Sequence, residues 1–433
     1  MSTPAPAAAR PAALGAVTPV SPWRLYGVWV VTAVVLAVLP HLVRAPAALP
    51  VMNQMGIAVV FALSYNMLLG QGGMLSFGHA VYFGLGGFCA AHALNLAVKQ
   101  GLWLPVPLVP VVGALGGLLF AAIVGSFSTN RAGTVFAMIS LGIAEMMAAS
   151  SLIFDRFFGG EEGITTNRAK AVSLGGLQFT TDRDVYYLIA FWALLTAGAM
   201  YAFSRTPVGR MANAVRDNPE RAEFVGYSQR WVRYVSFCAA GLFAGVAGGL
   251  FAVNYEILTA ENMGLNASGS VLLMTYIGGI GTFAGPVLGA IVFTFLQSML
   301  SDYTSVWLLY LGLVFLAAVL FVPVGLAGVL AMHGPAWRNR RLGRLVGPYV
   351  AVALVTLVAL VGLIGCLEMV YFLVSAPTGQ VIKRLFWLSV NVHTAAPWLT
   401  FLALIVAGGL GLRWAGPRAA AAFTEASLPQ AGR

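Results

Sequence analysis

The chain has 433 residues, 59% of them hydrophobic and 9% charged, against about 25% charged in a soluble globular domain. This excludes a soluble enzyme or binding domain of comparable length. A net charge of +10 would fit a nucleic-acid binder in a soluble chain, but no soluble basic domain is visible, and basic loops that orient membrane spans account for the charge.

Residues 1–24 are rich in Ala and Pro and read as a disordered cytoplasmic tail. Twelve apolar runs follow, most of them near the roughly 20 residues a helix needs to cross a bilayer. They lie at about 25–43, 50–69, 79–97, 103–125, 132–154, 185–203, 234–255, 268–283, 285–300, 305–322, 346–374 and 395–412. The first exceeds the apolar core of a cleaved signal peptide, about 7–15 residues, although Ala45-Pro46-Ala47 follows it. The eighth and ninth are short, with a glycine-rich junction at 278–286. The expectation is an all-α polytopic membrane protein. The abundance of glycine, 50 residues in all, fits closely packed membrane helices.

Placing the loop 204–233 in the cytoplasm and alternating outward puts 16 of the 24 Lys and Arg residues on the cytoplasmic side and 8 outside. None falls within a span. The bias follows the positive-inside rule and predicts both termini in the cytoplasm.

Candidate functional residues follow the same order along the chain. At Leu69-Gly70-Gln71-Gly72-Gly73-Met74-Leu75-Ser76-Phe77-Gly78-His79 an apolar run breaks into Gly, Gln, Ser and His. This is either a tight turn between helices or an interrupted helix whose freed backbone lines a solute route. In the second reading Asn66, Gly70, Gln71, Ser76 and His79 belong to the translocation pathway, with 278–286 as a counterpart. Glu145 sits near the middle of its run, where an acid either serves the pathway or is held by hydrogen bonds in packing. Glu368 lies nearer the outer end of its run, and an interfacial position suits it better.

In the loop 204–233 a short helix is expected at 219–225. Asn218 suits its N-cap, Pro219 its first position, and Glu220 and Glu223 its positive end. Gly226 suits the left-handed stop. Such a stub can rest on lipid or dock to a soluble partner. No catalytic constellation or metal spacing is present among the five histidines and three cysteines. No Walker A motif can be written, so any ATP that drives the protein binds another chain.

Three blocks carry a family resemblance. They are Ala62-Leu63-Ser64-Tyr65-Asn66-Met67-Leu68-Leu69 running on to Ala80, Phe136 to Glu145, and Thr206-Pro207-Val208-Gly209-Arg210 through Gly226 into the glycine-rich span 241–249. Over residues 50–331 the chain resembles the branched-chain amino acid permeases of bacterial ABC importers, Liv-type inner-membrane permeases. Glu220-Arg221-Ala222 and Gly226 resemble the EAA-x-x-x-G coupling motif, with Arg221 in place of an Ala. The resemblance implies a type II importer permease core of about ten transmembrane helices within 25–331. It also implies ATPase coupling through Arg216, Asp217, Asn218, Pro219, Glu220, Ala222 and Gly226. The implied partners are a second homologous permease, two cytoplasmic ABC ATPase subunits that bind ATP and Mg, and a periplasmic solute-binding protein. Residues 332–433 depart from the family with a basic linker and two more spans. An ion-driven secondary transporter is the alternative, but it would be expected to place ionisable residues in several spans.

Overall fold

The computed structural model describes residues 22–43, 45–172, 178–339, 341–375 and 381–427. Most of the tail expected at 1–24 therefore lies outside the described residues. The helices are α1 Pro22–Leu42, α2 Ala48–Asn66 with a π-helical continuation Met67–Gln71, α3 His79–Gln100, α4 Val109–Ser128 and α5 Gly133–Ile153. A single turn, α6 Asp155–Phe158, precedes α7 Asp182–Arg205, α8 Pro207–Asp217, α9 Pro219–Phe224 and α10 Gln229–Tyr255. Then come α11 Leu265–Gly278, α12 Gly285–Tyr303, α13 Trp307–Phe321, α14 Gly325–Met332, α15 Gly334–Arg338, α16 Leu342–Ser375 and α17 Ala395–Ser427. Two antiparallel strand pairs cap loops: β1 Ile164–Thr165 with β2 Ile257–Leu258, and β3 Ile382–Leu385 with β4 Leu388–Asn391.

Each of the twelve expected spans coincides with a helix, but they are not equivalent. Among the described residues nine helices are long and apolar enough to cross a membrane. A tenth is the pair Trp307–Phe321 and Gly325–Arg338, bent by 44°. The helix α1, Pro22–Leu42, has 21 residues. The eighth run is corrected: α11 has 14 residues, about 21 Å of helix against a hydrocarbon core of about 30 Å. It stops at Gly278 because Gly279 turns the chain at φ 110°, a conformation open to glycine. The chain then folds back tightly, with Gly278 against the backbone of Gly285 and Gly289.

Helices α2, α3, α4 and α10 form the centre, and their facing side chains are small. On α4, Gly113 and Gly117 face Gly241, Gly245 and Gly249 of α10. A Cβ on Gly117 would lie 2.8 Å from the Gly245 Cα. Gly86 of α3 meets the same place, 2.6 Å from the Gly245 Cα by the same construction. The four-residue spacing puts these glycines on one stripe of each helix, so the backbones approach as in small-xxx-small packing. Around this seam lie the fully buried Tyr65, Phe88, Phe136 and Phe293.

At one end the loop 155–184 is pinned by Arg168, 9% exposed. Its guanidinium donates to the carbonyls of Val253 (3.0 Å), Asn254 (2.8 Å) and Phe179 (3.2 Å) and pairs with Asp182 at 3.3 Å. Glu256 accepts from the Arg168 amide at 2.6 Å. The carbonyls of Val253 and Asn254, left open where α10 ends, thus find a donor.

Helices α16 and α17 pack on each other through Gly362, Gly365, Gly408 and Gly411. Glu368, in the C-terminal part of α16, is packed within the protein, 8% exposed. Its carboxylate accepts from Thr304 Oγ1 (2.7 Å) and Tyr310 OH (3.1 Å) and pairs with Lys383 Nζ at 2.5 Å. This cluster clasps the α16–α17 hairpin to the junction of α12 and α13.

Candidate functional site

The first candidate element is α8–α9, at the end of the bundle opposite Arg168. Local chemistry fixes both helices. Thr206 Oγ1 accepts from the Gly209 amide at 3.2 Å, and Pro207 takes the first position of α8. Asn218 Oδ1 accepts from the Arg221 amide at 3.1 Å, and Pro219 opens α9. Gly226 stops α9 at φ 88°, with its amide on the Glu223 carbonyl (2.8 Å) and the Tyr227 amide on the Ala222 carbonyl (3.1 Å). These are the caps read from the sequence, although the helix ends at Phe224.

Beneath the two helices is a small core of Ala212, Val215, Ala222 and Val232. It packs them against each other and against the first turn of α10. Its outer surface presents Glu220, Arg221 and Glu223 around Phe224, 89% exposed, and Val225, 71% exposed. An apolar tip ringed by charge suits a protein partner.

The second element is the break after α2. The π-helical turn Met67–Gln71 ends the helix, and the chain reverses at Gly73, φ 64°. It returns to start α3 at His79, level with Ser64. Tyr65 OH donates to the Ser76 carbonyl (3.0 Å), and the Ser64 hydroxyl lies 2.9 Å from His79 Nε2. The Phe77 amide donates to Ser140 Oγ of α5 (3.0 Å) and the Ala80 amide to Ser268 Oγ of α11 (3.1 Å). Irregular backbone within the bundle is thus satisfied by hydroxyls from neighbouring helices. His79 stacks on Phe61 with centroids 5.6 Å apart and meets Tyr65 edge-on at 5.2 Å.

Asn66, Gly70, Gln71, Ser76 and His79 are therefore brought together, and Asn66, Gly70, Ser76 and His79 are buried. Among the described residues, Asn66 Oδ1, Gln71 Oε1 and His79 Nδ1 find no hydrogen-bond partner. The counterpart break at 278–286 does meet the first one: a Cβ on Gly70 would collide with the Asn66 side chain and lie 2.7 Å from the Ile280 carbonyl oxygen.

Glu145 does not join this cluster. On α5 the residues Phe136, Ala137, Ser140, Ile143 and Ala144 face inward, while Met138, Gly142, Glu145 and Ala149 form the opposite, exposed stripe. Helical periodicity separates the two sets. Sequence reasoning missed the supporting hydroxyls Ser140 and Ser268 and the anchor Arg168. Serines at positions flanked by apolar residues are the available signal, but their partners lie far along the chain. Among the described residues there is no metal-binding group of His, Cys, Asp or Glu.

A bundle of many apolar helices, with a broken span in its interior, defines a multi-pass membrane protein. The chain belongs to the permease component family of the branched-chain amino acid transport system, whose profile matches residues 47–324. Among curated relatives, the high-affinity branched-chain amino acid transport system permease protein LivM of Escherichia coli K12 is 25% identical over 295 residues, 62% of this chain and 67% of that protein. A probable LivM of Methanocaldococcus jannaschii is 25% identical over 329 residues, 63% of this chain and 90% of its own. LivH of Salmonella typhimurium is 22% identical over 266 residues, 57% and 82% respectively. No solved structure matches the chain at a significant level.

Proposed function

We propose that this chain is one of two permeases of an ABC importer in the bacterial inner membrane, carrying a branched-chain amino acid or a related small solute inward. Two cytoplasmic ABC ATPase subunits bind ATP and Mg and supply the energy, and a periplasmic binding protein delivers the solute. Both termini and the α8–α9 element face the cytoplasm, in keeping with the distribution of Arg and Lys. Relatives named LivM and LivH both align with this chain, which supports a pair of similar permeases.

The observation that carries the reading is the α8–α9 element itself. It is rigid, capped at every end, and tipped by Phe224 and Val225 outside the bundle. The exposed stripe of α5 supports the second permease. Glu145 stands there among Val135, Met138 and Met146, all at least half exposed. A carboxyl left against lipid is costly, by about 2.5–3.5 kcal/mol at mid-bilayer, so a partner chain that covers this stripe and encloses Glu145 in a polar route removes the cost. Asn66, Gln71 and His79 contribute to that route from the buried break once the bundle opens.

The test uses the intact complex reconstituted in lipid. Gly226→Val forces a β-branched residue to φ 88°, a strain of order 1–3 kcal/mol. Glu220→Lys places a cation at a positive helix end. Both variants are expected to insert at wild-type levels and to lose ATPase co-purification and solute-stimulated ATP hydrolysis. Normal ATPase binding and transport in both would refute the docking role.

A further inference from the structure

The family resemblance groups Arg216 with the residues that meet the ATPase subunit, yet its side chain runs the other way. It sits in the last turn of α8, and its guanidinium Nη1 donates to the carbonyl of Gly70 inside the π-helical turn. Its stem lies along Gly73: a Cβ there would be 2.6 Å from the Arg216 Cγ and 3.5 Å from its Cδ. Its Nε donates to Asp217 Oδ1 at 2.9 Å, which holds the guanidinium plane.

The broken helix supplies a reason for the contact. The amides that would ordinarily cap its last carbonyls are used elsewhere: Gly72 bonds Met67, Gly73 bonds Leu69 and Met74 bonds Leu68. The Gly70 carbonyl is left open by this pattern, and a helix end needs an external donor there. Arginine supplies one with a charge, and its fork has a second N–H free for Asp217. Gly70 in turn abuts the Ile280 carbonyl of the second break. A continuous contact therefore runs from α8 through Arg216 and Gly70 to the start of the 278–286 break.

We propose that Arg216 is a positioning residue that ties the α8–α9 element to both helix breaks, so that displacement of the docking stub is delivered to the buried cluster at Asn66 and His79. This inference rests on the reading of α8–α9 as the ATPase-docking element. Phe224 and Val225 receive the movement, the core of Ala212, Val215, Ala222 and Val232 keeps it undivided, and Arg216 passes it inward. Glycine at 70 and 73 is required because a side chain at either position would displace Asn66 or the arginine stem.

Two measurements on Arg216→Ala and Arg216→Lys test the link. The first is hydrogen exchange at the amides of Gly72, Gly73 and Met74 in lipid nanodiscs, which needs no partner subunit. The second is solute moved per ATP hydrolysed in the reconstituted transporter. Arg216→Ala is expected to raise exchange roughly tenfold or more, the factor set by losing a charge-assisted hydrogen bond. It should keep the ATPase subunits bound, keep ATP hydrolysis, and lower the solute moved per ATP. Arg216→Lys should recover part of both properties, because one charged donor remains. Unchanged exchange in the Ala variant overturns the contact. Raised exchange with normal solute per ATP reduces Arg216 to a cap on the helix end and overturns the transmission. Failure of the wild-type chain to co-purify with any ATPase would instead remove the docking reading, and this inference with it.

Discussion

Glu368 and Gly226 mark the two ways a single residue acts in this chain. Glu368 holds Lys383, Thr304 and Tyr310 in one half-buried cluster. Replacing it with Ala removes the carboxylate partner of a part-buried lysine, and losing a hydrogen bond to a charged group costs about 1.5–3 kcal/mol. Glu368→Ala is expected to expose the β3–β4 connection to added protease while the core of α2, α3, α4 and α10 stays resistant, as read by limited proteolysis in detergent. Glu368→Gln, which keeps hydrogen-bonding capacity, should be milder, and equal resistance of Ala and wild-type protein would show that the cluster does not hold the hairpin. The cluster was not legible in the sequence, because hydropathy places an acid near a span end but does not name a lysine across a loop. Gly226, Asn218 and Pro219 were legible, because capping depends on residues within one turn of each other. Arg216 shows the limit: its charge on the loop was plain, but its direction depends on a carbonyl in a span 146 residues away.

The same division appears among the elements. The abundance of glycine fitted close helices, and the seam at Gly113, Gly117, Gly241, Gly245 and Gly249 is where the backbones of α4 and α10 meet. Gly245→Val would push a branched side chain into the Gly113 and Gly117 backbone, and overpacking of this kind costs about 1–3 kcal/mol or more. A lowered unfolding temperature in detergent is expected, whereas Gly409→Ala, with open space around it, should leave that temperature unchanged or raise it. Equal effects of the two would mean that the seam does not decide stability. The two breaks could be recognised as breaks by their glycines and polar residues. The eighth run was read as short, but that its helix stops at Gly278 could not be, because the apolar run continues through Ile280 and Phe283 past the point where Gly279 turns the chain. Nor could the outward face of Glu145 be fixed, because its rotation on α5 depends on which side of that helix meets α3 and α11.

At the scale of the whole molecule, the helices alternate so that both ends of the described chain come to the α8–α9 end. Trp29 packs on Tyr201 near the end of α7 while the Tyr187 hydroxyl lies 3.1 Å from His41 at the other. The last turns of α17 meet Asn339 and Arg341 beside the start of α16. The stub lies on this same side with Phe224 and Val225 exposed, and the account stands or falls on what it touches. The most direct measurement is site-specific photocross-linking from a benzophenone side chain at position 224 in native membranes, with the same probe at Thr166 for comparison. The account predicts a cross-link from position 224 to an ATP-hydrolysing subunit that changes in yield when nucleotide is added, and none from Thr166. Cross-links from position 224 to lipid alone, with no nucleotide dependence, would contradict it.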